Sequence, residues 1–215
     1  MWKPPVEPPA VVTSSRTLLP VRTVGSVVAE KVAIKSDYTD LSSSMASSSS
    51  SQIMASTSEI VNSYDVFLSF RGEDTRHSFA DHLYDALTRA GILTFRDNEE
   101  IKRGEEISRE IKRAIKGSRA SIVVLSENYG TSTWCLDELL LILEQRRECN
   151  HFVLPVFYHV DPSEVRKQAV EVKSGSRWTV ENVKLWKTGL MELADLAGMV
   201  LNGYDDTLSL FYNLN

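Results

Sequence analysis

Glu138 stands four residues after Trp134 in a segment whose apolar residues recur at helical spacing, so a carboxylate and an aromatic ring share one helix face. The chemistry open to such a pair is electrostatic: a fixed negative charge with a stacking surface one turn away. An acid on the opening turns of a helix also complements the helix dipole, and the residues alone leave both readings open. Cys135, Leu136, Leu139, Leu140 and Leu143 are core material for the opposite faces.

Other site chemistries find less support. His77, His82, His151 and His159 are scattered, and no Cys-x-x-Cys or His/Cys cluster has zinc spacing, so no metal is expected. Neither a Gly-x-x-x-x-Gly-Lys phosphate loop nor a Gly-x-Gly-x-x-Gly turn occurs. A Gly-x-Ser-x-Gly nucleophile elbow is also absent. A phosphate-accepting receiver domain calls for an Asp at the end of its third strand, where Ser126 stands. The basic run Lys102, Arg103, Arg109, Lys112, Arg113, Lys116 and Arg119 is interleaved with Glu105, Glu106 and Glu110. That is the pattern of a solvated helix face, with phosphate or protomer contact as the sharper alternative.

Positioning these residues requires a scaffold, and the pattern from Tyr64 onward alternates strand with helix. Residues 65–69 form an apolar strand, and Phe79, Leu83, Ala86, Leu87 and Ala90 mark a helix over 76–89 that Gly91 stops. A second strand follows at 92–95, then a helix over 105–116 ended by Gly117. Residues 121–125 are a β-branched buried strand, 134–147 a strong helix and 152–158 a fourth strand. Pro155 argues that this fourth strand is at an edge or carries a bulge. Val183, Trp186, Leu190, Leu193, Ala194 and Ala197 mark a final helix. The alternation predicts an α/β fold, a mostly parallel sheet of four to five strands with helices on both faces. Ligands of such sheets bind outside the carboxyl ends of the strands, which selects residues 70–74, 96–104 and 126–138.

The chain is 215 residues long, 42% hydrophobic and 25% charged, which excludes collagen, wholly disordered and disulfide-built classes. Ten of the 17 residues at 42–58 are serine, and Pro4, Pro5, Pro8 and Pro9 open the chain, so residues 1–58 read as a disordered leader. The leader holds five basic and four acidic groups, leaving 19 against 25, net -6, for the rest. This acidity argues against tight nucleic-acid binding. No apolar stretch is long enough to span a membrane, and Arg16, Pro20 and Arg22 break any secretory signal. Cys135 and Cys149 read as free thiols, about 21 Å apart if one helix carries both. A cytoplasmic or nuclear protein is expected, with organelle targeting by the leader the weaker alternative.

Tyr64-Asp-Val-Phe-Leu-Ser-Phe-Arg-Gly-Glu-Asp-Thr-Arg76 resembles the opening of a plant Toll/interleukin-1 receptor (TIR) domain. The likeness continues through Val123-Val-Leu-Ser-Glu-Asn-Tyr129, Ser132-Thr-Trp-Cys-Leu-Asp-Glu-Leu139 and Leu154-Pro-Val-Phe-Tyr-His-Val-Asp-Pro-Ser163. The resemblance implies a flavodoxin-like TIR fold over about 59–200, with a tail over 201–215. It implies an NAD+ nucleosidase that depends on self-association and acts in immune signalling, with NAD+ as substrate and no cofactor. The implied catalytic acid is Glu138. Arg71, Gly72, Lys102, Gly104 and Trp134 are the implied substrate contacts, residues 96–105 forming the loop that closes over substrate. Asp81 and His82 match the helix through which TIR domains bind one another. Asp81 departs from the family's usual serine there, which would weaken the contact.

Cleavage of NAD+ suits a single carboxylate, because nicotinamide leaves as a neutral molecule and needs no general acid, while the oxocarbenium-like ribose needs an anion. A non-catalytic adaptor or decoy that binds other TIR proteins is the alternative, and nucleotide-cyclase or nuclease chemistry a weaker third. After Gln168 the segment to Val180 is abbreviated relative to the family, so a helix and the fifth strand are expected to be missing.

Overall fold

The structure, a computed structural model, describes residues 63–96, 109–172 and 178–203. The expected leader, Lys102, Gly104 and all but the start of the expected tail lie outside the described residues.

Five strands carry the architecture: β1 (Tyr64–Phe70), β2 (Thr94–Arg96), β3 (Ser118–Leu125), β4 (Phe152–Tyr158) and β5 (Met199–Leu201). They pair in the order β2-β1-β3-β4-β5, every pair parallel. Parallel neighbours need crossover helices, and the chain supplies them. After β1 come α1 (Gly72–Thr75), a π-helical turn (Arg76–Ala80) and α2 (Asp81–Arg89). Helix α3 (Arg109–Lys116) precedes β3, and α4 (Thr133–Cys149) joins β3 to β4. The β4–β5 connection holds α5 (Pro162–Glu171) and α6 (Val180–Ala194). The fold is the flavodoxin-like α/β arrangement, with its switch point between β1 and β3.

Alternation along the strands divides the core in two. Phe67, Val123, Leu125 and Phe157 point to the face covered by α3, α4, α5 and α6. Val66, Leu68, Val124 and Val156 point to the other, where Phe79, Leu83 and Leu87 of the first crossover pack. Gly91, at φ 76°, closes α2 in the left-handed conformation that glycine adopts without strain.

Three expectations are corrected. The fifth strand is present, pairing Met199–Leu201 with Val156–Tyr158. Its three residues are too short for an alternation signal. Helix α5 occupies sequence that carried no predicted element, opened by Asp161 in a capping box with Glu164 and by Pro162 in the first turn. Finally, β4 is an interior strand rather than an edge. The β5 ladder begins only at Val156, one residue past the proline, and Gly198 packs close against Pro155 where a side chain would clash.

Candidate active site

The site is built where the carboxyl ends of β1 and β3 diverge. Period-two alternation turns Ser69 to the same face as Phe67, under α4. Helix α4 starts there because Ser132 caps it, its hydroxyl accepting from the Cys135 backbone N–H at 3.4 Å. It ends at Asn150, which takes the left-handed conformation at φ 51°. Two turns into α4, Glu138 meets β1. The Ser69 hydroxyl donates to Glu138 Oε2 at 2.7 Å.

Glu138 is 2% exposed and Ser69 1%. The sequence reading reserved the apolar neighbours of Glu138 for the core, but the acid is itself a core residue. Helix α4 buries Cys135, Leu136, Glu138, Leu139, Ile142, Leu143 and Gln145, more than one face. Trp134 lies partly buried beside them, packed on the same cluster.

Tyr129 completes the inner arrangement. It is fully buried in a short 3-10 turn, with its hydroxyl 3.0 Å from Ser69 Oγ and donating to the Cys135 carbonyl at 3.2 Å. Burial pushes its phenol well above the ordinary range, and the Cys135 thiol and Glu138 carboxylate add to the effect. Tyr129 therefore serves as a neutral hydroxyl.

Around this centre the loops are tied together. Asp74, in α1, accepts from the Ser126 hydroxyl at 2.5 Å and from the Asn128 N–H at 3.1 Å, bridging the loops after β1 and β3. Burial alone would raise its carboxyl, but those two hydrogen bonds and the Arg71 guanidinium outweigh it and hold the group below the usual range. The Gln168 side chain, from α5, donates to the Ser126 carbonyl at 2.9 Å and accepts from the Gly130 N–H at 3.0 Å. None of Ser69, Tyr129, Asp74 or Gln168 was singled out from sequence.

Arg71 leaves β1 directly into this site, held by Asp74 and Glu73, and Gly72 begins α1. The Arg71 side chain is 19% exposed, but its Nε is buried and has no hydrogen-bond partner among the described residues. Glu138, Trp134, Arg71 and Gly72 thus gather at one end of the sheet. Asp81 and His82 do not join them. They open α2, whose buried side packs on the opposite face. Asp81 is paired with Arg96 at 2.5 Å and with His77 at 3.4 Å, and Arg96 lies over the Tyr84 ring at 4.2 Å. His82 is exposed.

Among the described residues no three His, Cys, Asp or Glu side chains are placed to hold a metal ion. No described helix is long and apolar enough to cross a membrane.

Comparison with known proteins bears on this geometry. The family model of the TIR domain matches residues 63–213. The chain is 51% identical over 162 residues to the disease resistance protein RPV1 of Vitis rotundifolia, covering 72% of this chain and 12% of that protein. It is 46% identical over 143 residues to the TMV resistance protein N of Nicotiana glutinosa, covering 63% and 12%. Among solved structures, the TIR domains of the activated Roq1 resistosome, which directly recognises the pathogen effector XopQ, superpose with a TM-score of 0.62 at 42% identity. That match covers 71% of this chain and all of the Roq1 chain. The curated relatives are far longer, and this chain spans about an eighth of their length.

Proposed function

Because the chain belongs to the TIR domain family, with plant disease-resistance proteins among its relatives, we propose that it is an NAD+ nucleosidase of plant immune signalling whose activity depends on self-association. One observation carries the reading: the buried Glu138 carboxylate is held by a hydroxyl at the switch point of the sheet. The bond from the ribose carbon to the pyridinium nitrogen breaks, and nicotinamide leaves with the electron pair as a neutral molecule. The positive charge passes to the ribose, where the Glu138 carboxylate stabilises it. Water adds to the ribose carbon and releases its proton to solvent, giving ADP-ribose; capture by an adenine nitrogen instead gives a cyclic product. Arg71, partly exposed where β1 ends, supplies a cation for the diphosphate, and Trp134 offers the stacking face.

The test is NAD+ consumption by the full chain over a range of protein concentrations. Wild-type turnover per molecule should rise with concentration, and Glu138→Ala should reduce it to background. Equal depletion by both proteins overturns the proposal.

The depth of Glu138 favours a second reading, an adaptor that binds other TIR domains without catalysis, because a substrate ribose must reach an acid only 2% exposed. Capture of a purified TIR domain with no NAD+ turnover at any concentration would select it.

A further inference from the structure

We propose that Ser69 is a positioning residue that aims the Glu138 carboxylate at the substrate, with Tyr129 setting the direction in which the Ser69 hydroxyl donates. The inference rests on the assignment of Glu138 as the catalytic acid and adds a residue that orients it.

Proton accounting fixes the direction. A serine hydroxyl has one hydrogen, and that of Ser69 goes to Glu138 Oε2 at 2.7 Å. The 3.0 Å contact between Ser69 Oγ and Tyr129 Oη can then be a hydrogen bond only with Tyr129 as donor. The same phenolic hydrogen also lies within reach of the Cys135 carbonyl at 3.2 Å, a three-centre arrangement. The chain of donors therefore runs Tyr129 to Ser69 to Glu138 and ends on the carboxylate. A phenol held neutral by burial keeps its hydrogen and so keeps this direction.

The placement is not what packing alone would choose. Ser69 occupies an inward position of β1, 1% exposed, on the face where Phe67 is fully buried. Its hydroxyl contacts only Tyr129 and Glu138 among the described residues. A hydroxyl at a core position is a cost unless it is hydrogen-bonded. Here both bonds converge on the acid. Donation to one oxygen holds the rotation of the carboxylate about its last torsion, which is otherwise broad. Without the hydroxyl, Oε2 loses the donor that sets its direction, and the carboxylate is less well aimed at the ribose.

Steady-state NAD+ turnover by the full chain tests this, with Ser69→Ala, Ser69→Cys, Ser69→Thr and Tyr129→Phe compared. Ser69→Ala should lower kcat by about ten- to a hundredfold, the worth of one hydrogen bond to a charged group, with KM within about twofold of wild type. Ser69→Thr, which keeps the hydroxyl, should recover most of the loss. Tyr129→Phe should show a smaller loss, about threefold, also in kcat. If Ser69→Ala does not fold, Ser69→Cys fills nearly the same volume with a weak donor and carries the same expectation. A purely packing role would instead make thermal stability, not kcat, follow the substitutions. Unchanged kcat in both Ser69→Ala and Ser69→Cys overturns the inference while leaving Glu138 in place. A wild-type protein that consumes no NAD+, or a Glu138→Ala variant as active as wild type, overturns the reading beneath it.

Discussion

Glu138 and Asp81 are both acids near the start of a helix, on opposite faces of one sheet, and the chain treats them in opposite ways. Glu138 is 2% exposed and is met by a serine hydroxyl. Asp81 is 34% exposed and is met by a guanidinium and an imidazole. A cation neutralises a surface acid at little cost or gain, because water screens both charges. A hydroxyl in the core meets the carboxylate without adding a charge of its own, in surroundings that screen less than water does. The first arrangement suits a contact surface, and the second a charge kept for use.

The sharpest way to break this contrast is Glu138→Gln. It keeps the size and a hydrogen-bond acceptor but removes the charge, so NAD+ turnover should fall roughly hundredfold or more. Thermal stability should hold or rise, because the cost of a buried charge is removed. A variant that loses stability as well as activity would mean that the charge is structural. Next in size is Asp74→Ala, which cuts the bridge between the loops after β1 and β3. It should cost about 1–3 kcal/mol in urea unfolding by leaving Ser126 and the Asn128 N–H unpaired. A loss no larger than that of an exposed position would show that the bridge does not hold the rim.

Two aspartates of the site-bearing face should show opposite pH slopes. Asp74 titrates below the ordinary range, so its stabilisation is complete above the unfolded value, about 3.9, and is lost as the pH falls through the lower native value. Burial pushes Asp137 above the ordinary range, against the pull of the Trp186 indole and Lys112. Its protonated form is favoured in the fold, so its contribution is greatest below about pH 3.9 and is lost as the pH rises through the higher native value. Urea midpoints against pH should therefore flatten on the acid side for Asp74→Asn, and above about pH 4 for Asp137→Asn. Identical profiles for the two variants would contradict the assignment.

The smallest effect belongs to the surface pair. Arg96→Ala should change stability by no more than about 1 kcal/mol, and added salt should erase most of that. If its cost equals that of Asp74→Ala, the surface and core acids are not so different after all.

The sequence was most legible where a run was long. Residues 152–158 are a strand with the predicted ends, and α4 extends the predicted 134–147 by one residue at its start and two at its end. Glu138 and Trp134 could be found because four residues of helix bring them to one face. Ser69 could not, because a serine closing an apolar strand looks like any strand end. Its meaning depends on a partner 69 positions away. Asp74 reaches Ser126 across 52 positions, and Gln168 reaches Ser126 across 42. Such pairings belong to topology and leave no local pattern. Helix α5 is a different case, since Asp161-Pro162-Ser163-Glu164 carried its capping signal openly.

The two thiols of the chain also differ in a way that an experimenter can exploit. Cys135 is buried one turn before Glu138, and Cys149 is exposed at the far end of the same helix. About 21 Å of α-helix separates them. A thiol-reactive dye should therefore mark native protein at a single place, remote from the acid. Energy transfer between two differently labelled populations would then report, in the same cuvette as the turnover assay, when copies of the chain come together.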